Sequence, residues 1–237
     1  MNIKVYPDED VVAGKAAAII ADAARAAVTS RGRFIMAVSG GHTPWLMLRA
    51  LADGELPWRR MHVFQVDERV APAGDPDRNL AHLRDSLLDR TPLSADHVHA
   101  MPIEASELDR AAEQYALTLQ DVAGSPPVLD LIHLGLGADG HTASLVPGDP
   151  ALEVTDADVA VTGPYQGRRR MTLTFPIINR SRLVLWLVTG SEKAEALVHL
   201  RDGDRSIPGS RVHQDRALVL ADRAAAARLG GDEKLEA

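Results

Sequence analysis

Residues 128–145 read VLDLIHLGLGADGHTASL, an apolar run that leads into a loop with three glycines. The apolar part, residues 128–134, has the length and character of a buried β-strand. Similar runs cover residues 34–38, 61–66 and 182–188, and each is followed by a polar loop. Because helix-like segments lie between these runs, the pattern predicts a mainly parallel sheet with helices on both faces.

Shorter segments complete the predicted fold. Apolar residues at helical spacing predict helices at residues 11–28, 43–51, 80–88, 105–122, 191–200 and 222–229. Short strands are predicted at residues 3–5, 159–161, 170–174 and 217–220. We therefore expect one domain over residues 1–237, with a three-layer Rossmann-like α/β fold and a small antiparallel addition.

The composition of the 237-residue chain argues against several classes of protein. It contains no cysteine, which rules out disulfides, thiolate chemistry and cysteine-based zinc sites. No apolar run approaches the roughly 18 residues of a membrane span, and the N-terminus lacks the features of a signal peptide. A net charge of −7 argues against nucleic acid as a partner, since phosphate backbones bind basic surfaces. We expect a cytoplasmic monomer or homodimer that binds a small molecule and no membrane.

Residues 39–44, Ser-Gly-Gly-His-Thr-Pro, join a predicted strand to a predicted helix. Paired glycines let the backbone approach a ligand closely, and Thr43 is a favoured N-cap before a proline at the first helical position. The free N–H groups and positive dipole end of such a helix suit an anion such as phosphate. The alternative interpretation is an ordinary tight turn with a good cap.

The glycines at positions 135, 137 and 140 formally match the G-x-G-x-x-G fingerprint of dinucleotide-binding folds. That fold needs a full helix directly after the third glycine. Here residues 147–150, Pro-Gly-Asp-Pro, stop any helix after about two turns. We therefore predict that the loop does not bind a nucleotide cofactor.

Asp139 and His141 are the candidate catalytic residues of this loop. Histidine titrates near neutrality, so its ring can accept a proton and return it. Either Asp139 or Asp67 is a candidate to orient the ring and stabilise the imidazolium. The alternative interpretation is a histidine that only caps a short helix, and geometry decides between the two.

Charged residues follow other strands of the predicted sheet. In Asp67-Glu68-Arg69, alternation places Asp67 and Arg69 on one side and Glu68 on the other. Alternation likewise prevents the three arginines at residues 168–170 from all facing one site. Lys193 lies at another strand-to-helix turn, from which its ammonium can reach the same cleft. The alternatives are a salt-bridged loop and solvated basic side chains.

Three further histidines are not predicted to take part in catalysis or metal binding. His97 and His99 form an H-x-H pair on a predicted strand, but two ligands do not make a zinc site and no third is evident nearby in the sequence. His133 lies within an apolar strand and is predicted to be a packed core residue. We therefore predict no metal site.

Five motifs occur along the chain in a fixed order. They are residues 39–44 (SGGHTP), 66–69 (VDER), 135–145 (GLGADGHTASL), 170–174 (RMTLT) and 189–194 (TGSEKA). Together they resemble the family that contains 6-phosphogluconolactonases and glucosamine-6-phosphate deaminases, and they resemble the lactonase branch more closely. Asn79 and Asn179 also stand where the lactonase pattern has them. The resemblance extends from near residue 1 to about residue 229.

The resemblance implies hydrolysis of 6-phospho-D-glucono-1,5-lactone to 6-phosphogluconate in the oxidative pentose phosphate pathway, without a metal or cofactor. It implies that His141 is the catalytic base and that Asp67 and Arg69 line the reacting end. The residues that it implies for phosphate binding are Ser39, Gly40, Gly41, Thr43, Arg170 and Lys193.

The deaminase branch is the nearest alternative. Its corresponding loop carries a carboxylate that serves ring opening, at the position of Val146 here. Valine cannot transfer a proton, so this departure counts against deaminase chemistry. A second alternative is a sugar-phosphate sensor without catalysis. Such regulators normally carry a helix-turn-helix, and we expect no spare N-terminal segment for one in this chain.

Overall fold

The computed structural model describes residues 1–230, so residues 231–237 of the predicted domain lie outside the described part. Within residues 1–230 the chain forms ten strands: β1 (Asn2–Tyr6), β2 (Phe34–Val38), β3 (Met61–Gln65), β4 (Asp67–Arg69), β5 (Val98–His99), β6 (Leu131–Gly135), β7 (Val159–Val161), β8 (Arg170–Leu173), β9 (Val184–Val188) and β10 (Ala217–Asp222). Seven of them form a parallel sheet in the order β1-β10-β9-β6-β2-β3-β5. The other three form an antiparallel sheet in the order β4-β8-β7. The predicted parallel α/β fold with a small antiparallel addition is confirmed.

Six α-helices in the described part of the chain pack around the parallel sheet. They are α1 (Glu9–Arg31), α2 (His42–Ala52), α3 (Asn79–Ser86), α4 (Leu108–Ala123), α5 (Phe175–Arg180) and α6 (Ala194–Asp202). Alternation along β6 places Leu131 in the core under α1 and α2, and Ile132 in the core under α4 and α6. None of the helices in residues 1–230 is long and apolar enough to cross a membrane.

The predicted helix at residues 222–229 is wrong. Asp222 is the last residue of β10, and only Ala225–Arg228 form a short 3-10 turn. The carboxylate of Asp222 accepts the backbone N–H of Ala225 at 2.7 Å, and it also accepts the N–H of Gly190 at 3.1 Å. These bonds tie the turn after β10 to the loop after β9.

The parallel arrangement brings the polar loops to one edge of the sheet. β2, β6 and β9 are neighbours or near neighbours in the sheet, and their carboxyl ends lie at Val38, Gly135 and Val188. In open α/β sheets the ligand site lies beyond this edge. The loops after residues 38, 135 and 188 are therefore placed side by side.

A cluster of three histidines lies at the end of the parallel sheet where β5 is the edge strand and β3 is its neighbour. The H-x-H pair, His97 and His99, is joined there by His62 from β3, which the sequence did not reveal as a neighbour. His62 Nδ1 lies 3.2 Å from His99 Nε2, and its ring centroid lies 4.1 Å from that of His97. No group of acidic or histidine side chains within residues 1–230 has an arrangement suited to a metal ion.

This cluster predicts a loss of stability in acid. Burial, His97, His99 and Arg33 lower the pKa of His62 from 6.5 to about 4. The unfolded chain therefore binds the proton first, and the free energy of unfolding should fall as the pH decreases from 6.5 towards 4. Denaturant titrations across this range should show a shallower pH dependence in His62→Gln than in the wild type.

His213→Gln is the matched control for this titration because the His213 side chain is exposed. Its pH dependence should follow that of the wild type. An unchanged pH dependence in His62→Gln would show that the half-buried His62 does not limit stability in acid.

Candidate active site

A cleft of about 600 Å³ opens at the carboxyl edge of the parallel sheet. Nine of the ten residues predicted for the site line it: Ser39, Gly40, Gly41, Thr43, Asp67, Arg69, His141, Arg170 and Lys193. The tenth, Asp139, is hydrogen-bonded to His141. Loops that are distant in the sequence therefore meet at one place, as the fold prediction requires, while the role of each residue stays a prediction.

His141 and Asp139 form a hydrogen-bonded pair at the mouth of the cleft. His141 Nδ1 lies 2.5 Å from Asp139 Oδ1, and the backbone N–H of His141 donates to the same oxygen at 3.2 Å. Partial burial alone would raise the pKa of Asp139, but the hydrogen bonds and charge of His141, with a hydrogen bond from Tyr165, hold that pKa below its ordinary value. Of the two candidate carboxylates, Asp139 is therefore the one hydrogen-bonded to the ring, through Nδ1.

Glycines shape the loop that presents this pair. The N–H of Gly137 donates to the carbonyl of His141 at 2.8 Å, and Gly140, with a φ of 78°, donates to the carbonyl of Gly137 at 2.9 Å. A Cβ at Gly137 would lie 2.0 Å from His141 Nδ1, and one at Gly140 would lie 2.3 Å from Ile207. No helix follows Gly140 directly, so these glycines serve close packing and not a dinucleotide fingerprint.

The predicted helix start after Gly41 needs a correction. α2 begins at His42 with Gly41 as its N-cap, so Thr43 is not the cap and Pro44 is not the first helical residue. Gly41 has a φ of 128°, which turns the chain into the helix one residue before the predicted helix start, and it offers no side-chain cap. The first N–H groups of α2 consequently lack a side-chain partner at Gly41 and lie beside the cleft.

Thr43 uses its hydroxyl to join two loops instead of capping the helix. Its Oγ1 lies 2.7 Å from Thr189 Oγ1 and 3.3 Å from Glu9 Oε2. This contact ties the loop after β2 to the loop after β9, which carries Lys193. Glu9, from the start of α1, is a cleft residue that sequence reasoning missed, because nothing in its local pattern links it to residue 43.

Ser39 lines the cleft but its hydrogen-bonding groups are already engaged. Its hydroxyl donates to the carbonyl of His133 at 3.2 Å, and its N–H donates to His133 Nδ1 at 3.3 Å. His133 is fully buried, and burial lowers its pKa to about 3, so it is the neutral core histidine that was predicted. Ser39 thus links β2 to β6 at the floor of the cleft.

Asp67 and Arg69 face the cleft, and Glu68 faces away from it, as alternation predicts. Asn79 binds both cleft residues, since its Nδ2 donates to the carbonyl of Asp67 at 2.9 Å and its Oδ1 accepts from Arg69 Nη1 at 2.7 Å. The buried Glu68 accepts the N–H groups of Asn79 and Leu80 at 2.7 and 2.8 Å, at the start of α3. Glu68 is therefore a structural anchor that holds Asn79 in place.

Of the three consecutive arginines, only Arg170 lines the cleft. Its side chain is 5 % exposed, and its Nη1 lies 3.5 Å from Ser144 Oγ, which donates to Asp67 Oδ2 at 2.7 Å. Burial and the nearby Arg69 lower the pKa of Arg170 from its ordinary high value. Arg168 instead forms ion pairs with two aspartates outside the cleft, which agrees with the prediction that the three do not share a site.

Lys193 reaches the cleft from a 3-10 turn, Ser191–Lys193, that precedes α6. The turn starts at Gly190, whose φ is 95° and whose N–H is held by the carboxylate of Asp222. Asp222 also lines the cleft, and it was missed because the sequence pattern placed it at the start of a helix. An aspartate at the carboxyl end of a predicted strand is the signal that could have identified it.

Comparison with known proteins adds a decisive observation. The sequence profile of the family described as "Glucosamine-6-phosphate isomerases/6-phosphogluconolactonase" matches residues 7–220. The chain belongs to this family. The match covers all five motifs that carry the resemblance, and it ends within β10.

Members of this family named 6-phosphogluconolactonase are similar over most of their length. The one from Synechocystis sp. is 39 % identical over 200 residues, which cover 83 % of each chain. The one from Mycobacterium tuberculosis is 37 % identical over 242 residues, covering 96 % of this chain and 98 % of the relative. The solved structure of the Trypanosoma brucei 6-phosphogluconolactonase has 28 % identity and a TM-score of 0.85, covering 97 % of this chain and 98 % of that one.

Proposed function

We propose that this protein hydrolyses 6-phospho-D-glucono-1,5-lactone to 6-phosphogluconate, a step of the oxidative pentose phosphate pathway in the cytoplasm. The observation that carries the proposal is the His141–Asp139 pair in the same cleft as the N-terminus of α2, Arg170 and Lys193. One part of the cleft can therefore hold a phosphate while another handles a proton. Relatives that are 35–39 % identical over most of the chain bear the name of this activity.

The phosphate would lie at the end of the cleft formed by the loops after β2 and β9. The N–H groups at the start of α2 and the ammonium of Lys193 are donors that suit a phosphate dianion. The contact between Thr43 and Thr189 holds these two donor groups together. Arg170 adds a second cation from the antiparallel sheet. This anchor would fix the lactone carbonyl relative to His141.

His141 would act as general base in the ring-opening reaction. Its Nδ1 faces Asp139, so Nε2 is the nitrogen that takes a proton from water as the water oxygen attacks C1. The attack turns the carbonyl into a tetrahedral oxyanion. When the C1–O5 bond breaks, the ring oxygen leaves and takes the proton back from Nε2. The resulting carboxylic acid then loses a proton to solvent, which leaves His141 neutral for the next turnover.

Asp139 would stabilise the imidazolium that forms between these two proton transfers. Arg69 would supply positive charge near the oxyanion, because Asn79 and the carbonyl of Asp77 hold its guanidinium at the cleft wall. A lactone carbonyl is strongly electrophilic, so a base and an oxyanion donor suffice for this mechanism. It therefore assigns no step to a metal ion or a cofactor.

Deaminase chemistry is less compatible with the same cleft. Val146, which stands where the deaminase pattern has its carboxylate, is 5 % exposed and packs as an apolar residue. A buried valine cannot supply the proton transfer that ring opening of an amino sugar needs. Incubation with glucosamine 6-phosphate should therefore release no ammonia.

The proposed function is tested by generating the lactone with glucose-6-phosphate dehydrogenase and following its loss with and without the protein. Faster loss in the presence of the protein is the expected result. Loss at the spontaneous rate, with a folded protein and fresh substrate, would contradict the proposal.

Lys193→Ala should raise KM for the phosphorylated lactone about tenfold or more, with a much smaller effect on kcat, because a charge-assisted contact to the phosphate is lost. The steady-state constants should be compared with those for the unphosphorylated gluconolactone, where the substitution should change KM little. Equal changes for both substrates would mean that Lys193 does not contact the phosphate.

A further inference from the structure

The hairpin between β7 and β8 carries a tyrosine, Tyr165, that contacts residues of the cleft. Tyr165 and Arg168 pair across its tip, with N–H to O distances of 2.9 and 3.2 Å. The two residues between them, Gln166 and Gly167, have φ values of 50° and 78°, as in a two-residue turn of the primed kind. The turn therefore sets the direction in which Tyr165 leaves the backbone.

Ion pairs hold the tip of this hairpin in place. Arg168 Nη1 lies 3.0 Å from Asp75 Oδ2, and Arg168 Nη2 lies 3.2 Å from Asp77 Oδ2. The loop that bears these aspartates also contacts the site, since the carbonyl of Asp77 accepts from Arg69 at 2.7 Å. Tyr165 thus projects from a turn that Arg168 ties to the neighbouring loop.

Tyr165 contacts three residues of the proposed mechanism. Its hydroxyl donates to Asp139 Oδ2 at 3.1 Å. Its ring packs edge-on to the His141 ring with centroids 5.5 Å apart. The guanidinium of Arg170 lies 5.0 Å from the centroid of the same ring, within the range of a cation–π contact.

The hydrogen bond from Tyr165 gives the second oxygen of the Asp139 carboxylate a partner. Asp139 Oδ1 is occupied by His141, so Oδ2 would otherwise be available to solvent and the carboxylate could rotate. With Oδ2 bound to Tyr165, both oxygens are fixed and the plane of the carboxylate is defined. The plane of the carboxylate in turn defines the direction of the His141 ring.

We infer that Tyr165 is a positioning residue for the reaction proposed above: its hydroxyl orients His141 through Asp139, and its ring supports Arg170. The kinetic effects expected from this inference rest on the proposed function. The hydroxyl and the ring have separate partners, so two substitutions separate their effects. Burial and the charge of Asp139 raise the pKa of Tyr165, which keeps the hydroxyl protonated as a donor.

Tyr165→Phe removes the hydroxyl and keeps the ring. We expect kcat to fall roughly three- to tenfold, the scale of one hydrogen bond, with KM nearly unchanged. Tyr165→Leu removes both, so KM should also rise, by roughly threefold or more, because the contact with Arg170 is lost. Tyr165 is only half-buried, so neither substitution leaves a large cavity in the core.

A double-mutant cycle with Asp139→Ala tests whether the hydroxyl acts through Asp139. In that background Tyr165→Phe should lower kcat no further, while Tyr165→Leu should still raise KM. An equal loss of kcat in both backgrounds, or an unchanged kcat in Tyr165→Phe alone, would overturn the inference.

NMR spectra of the histidine rings in the substrate-free protein separate this inference from the proposed function. The signals of His141, identified by their loss in His141→Ala, should shift or broaden in Tyr165→Phe, while those of the buried His133 stay in place. If the wild type fails to open the lactone, the proposed function is wrong, and the spectra still decide the positioning role. Unchanged His141 signals would refute that role even in an active enzyme.

Discussion

Replacing His141 with alanine should lower kcat on the phosphorylated lactone by about a hundredfold or more, while KM stays within roughly threefold. The imidazole is the group that would take the proton from the attacking water and return it to the ring oxygen. Its removal leaves the helix start, Arg170 and Lys193 in place to hold the phosphate. Steady-state kinetics corrected for spontaneous hydrolysis measure both constants.

His213→Ala is the matched control for this substitution, because His213 is an exposed histidine that does not line the cleft. It should retain the wild-type kcat. Asp139→Asn should give an intermediate loss, since the amide keeps the shape of the side chain but stabilises the imidazolium poorly. A kcat close to the wild type in His141→Ala would remove this residue from the mechanism.

The strands and the edge that bears the site could be predicted from the sequence because they depend on local patterns. An apolar run such as residues 34–38 identifies a buried strand, and the parallel alternation then places the loops after the strands at one edge. His141 and Lys193 were found in this way. They lie in the segments that directly follow β6 and β9, and the carboxyl ends of these strands are at the same edge of the sheet.

Residues whose place depends on distant partners could not be found in this way. Glu9 meets Thr43 from a helix 34 residues earlier in the chain. Tyr165 meets Asp139 across 26 residues, from a hairpin whose tip looks like an ordinary polar turn. Asp222 was assigned to a helix from the local pattern, whereas it ends β10 and its carboxylate bonds to Gly190, a contact that no local pattern shows. In each case a tertiary contact that the local sequence does not show joins the side chain to a residue of the site.

The start of α2 is a second place where a tertiary contact, which the local sequence does not show, changes the predicted structure. Thr43 followed by Pro44 is a favourable local signal for a cap, yet the helix starts at His42. The hydroxyl of Thr43 instead contacts Thr189, a residue 146 positions away. The position of the turn before α2 was nevertheless predictable to within one residue, because the turn follows the carboxyl end of β2 and contains Gly41.

Gly137→Ala should lower kcat by roughly ten- to a hundredfold without preventing folding, since small displacements of a catalytic group have effects of this size. The added Cβ would lie 2.0 Å from His141 Nδ1 and 2.6 Å from Asp139 Oδ1, so the pair must move. Both clashing atoms belong to side chains at the cleft, and Gly137 has no positive φ that would strain an alanine. The substitution should therefore displace the imidazole of His141. We expect KM to change less than kcat.

Gly135→Ala is the matched control for Gly137→Ala. It adds the same methyl group two residues earlier, where no heavy atom lies within 4 Å and the backbone is again unstrained. Thermal unfolding of both variants should remain close to the wild type, while the His141 ring signals and kcat should change strongly in Gly137→Ala only. If both alanines reduced kcat equally, the loop as a whole would be sensitive, and the close approach of Gly137 to the imidazole would not be what positions the base.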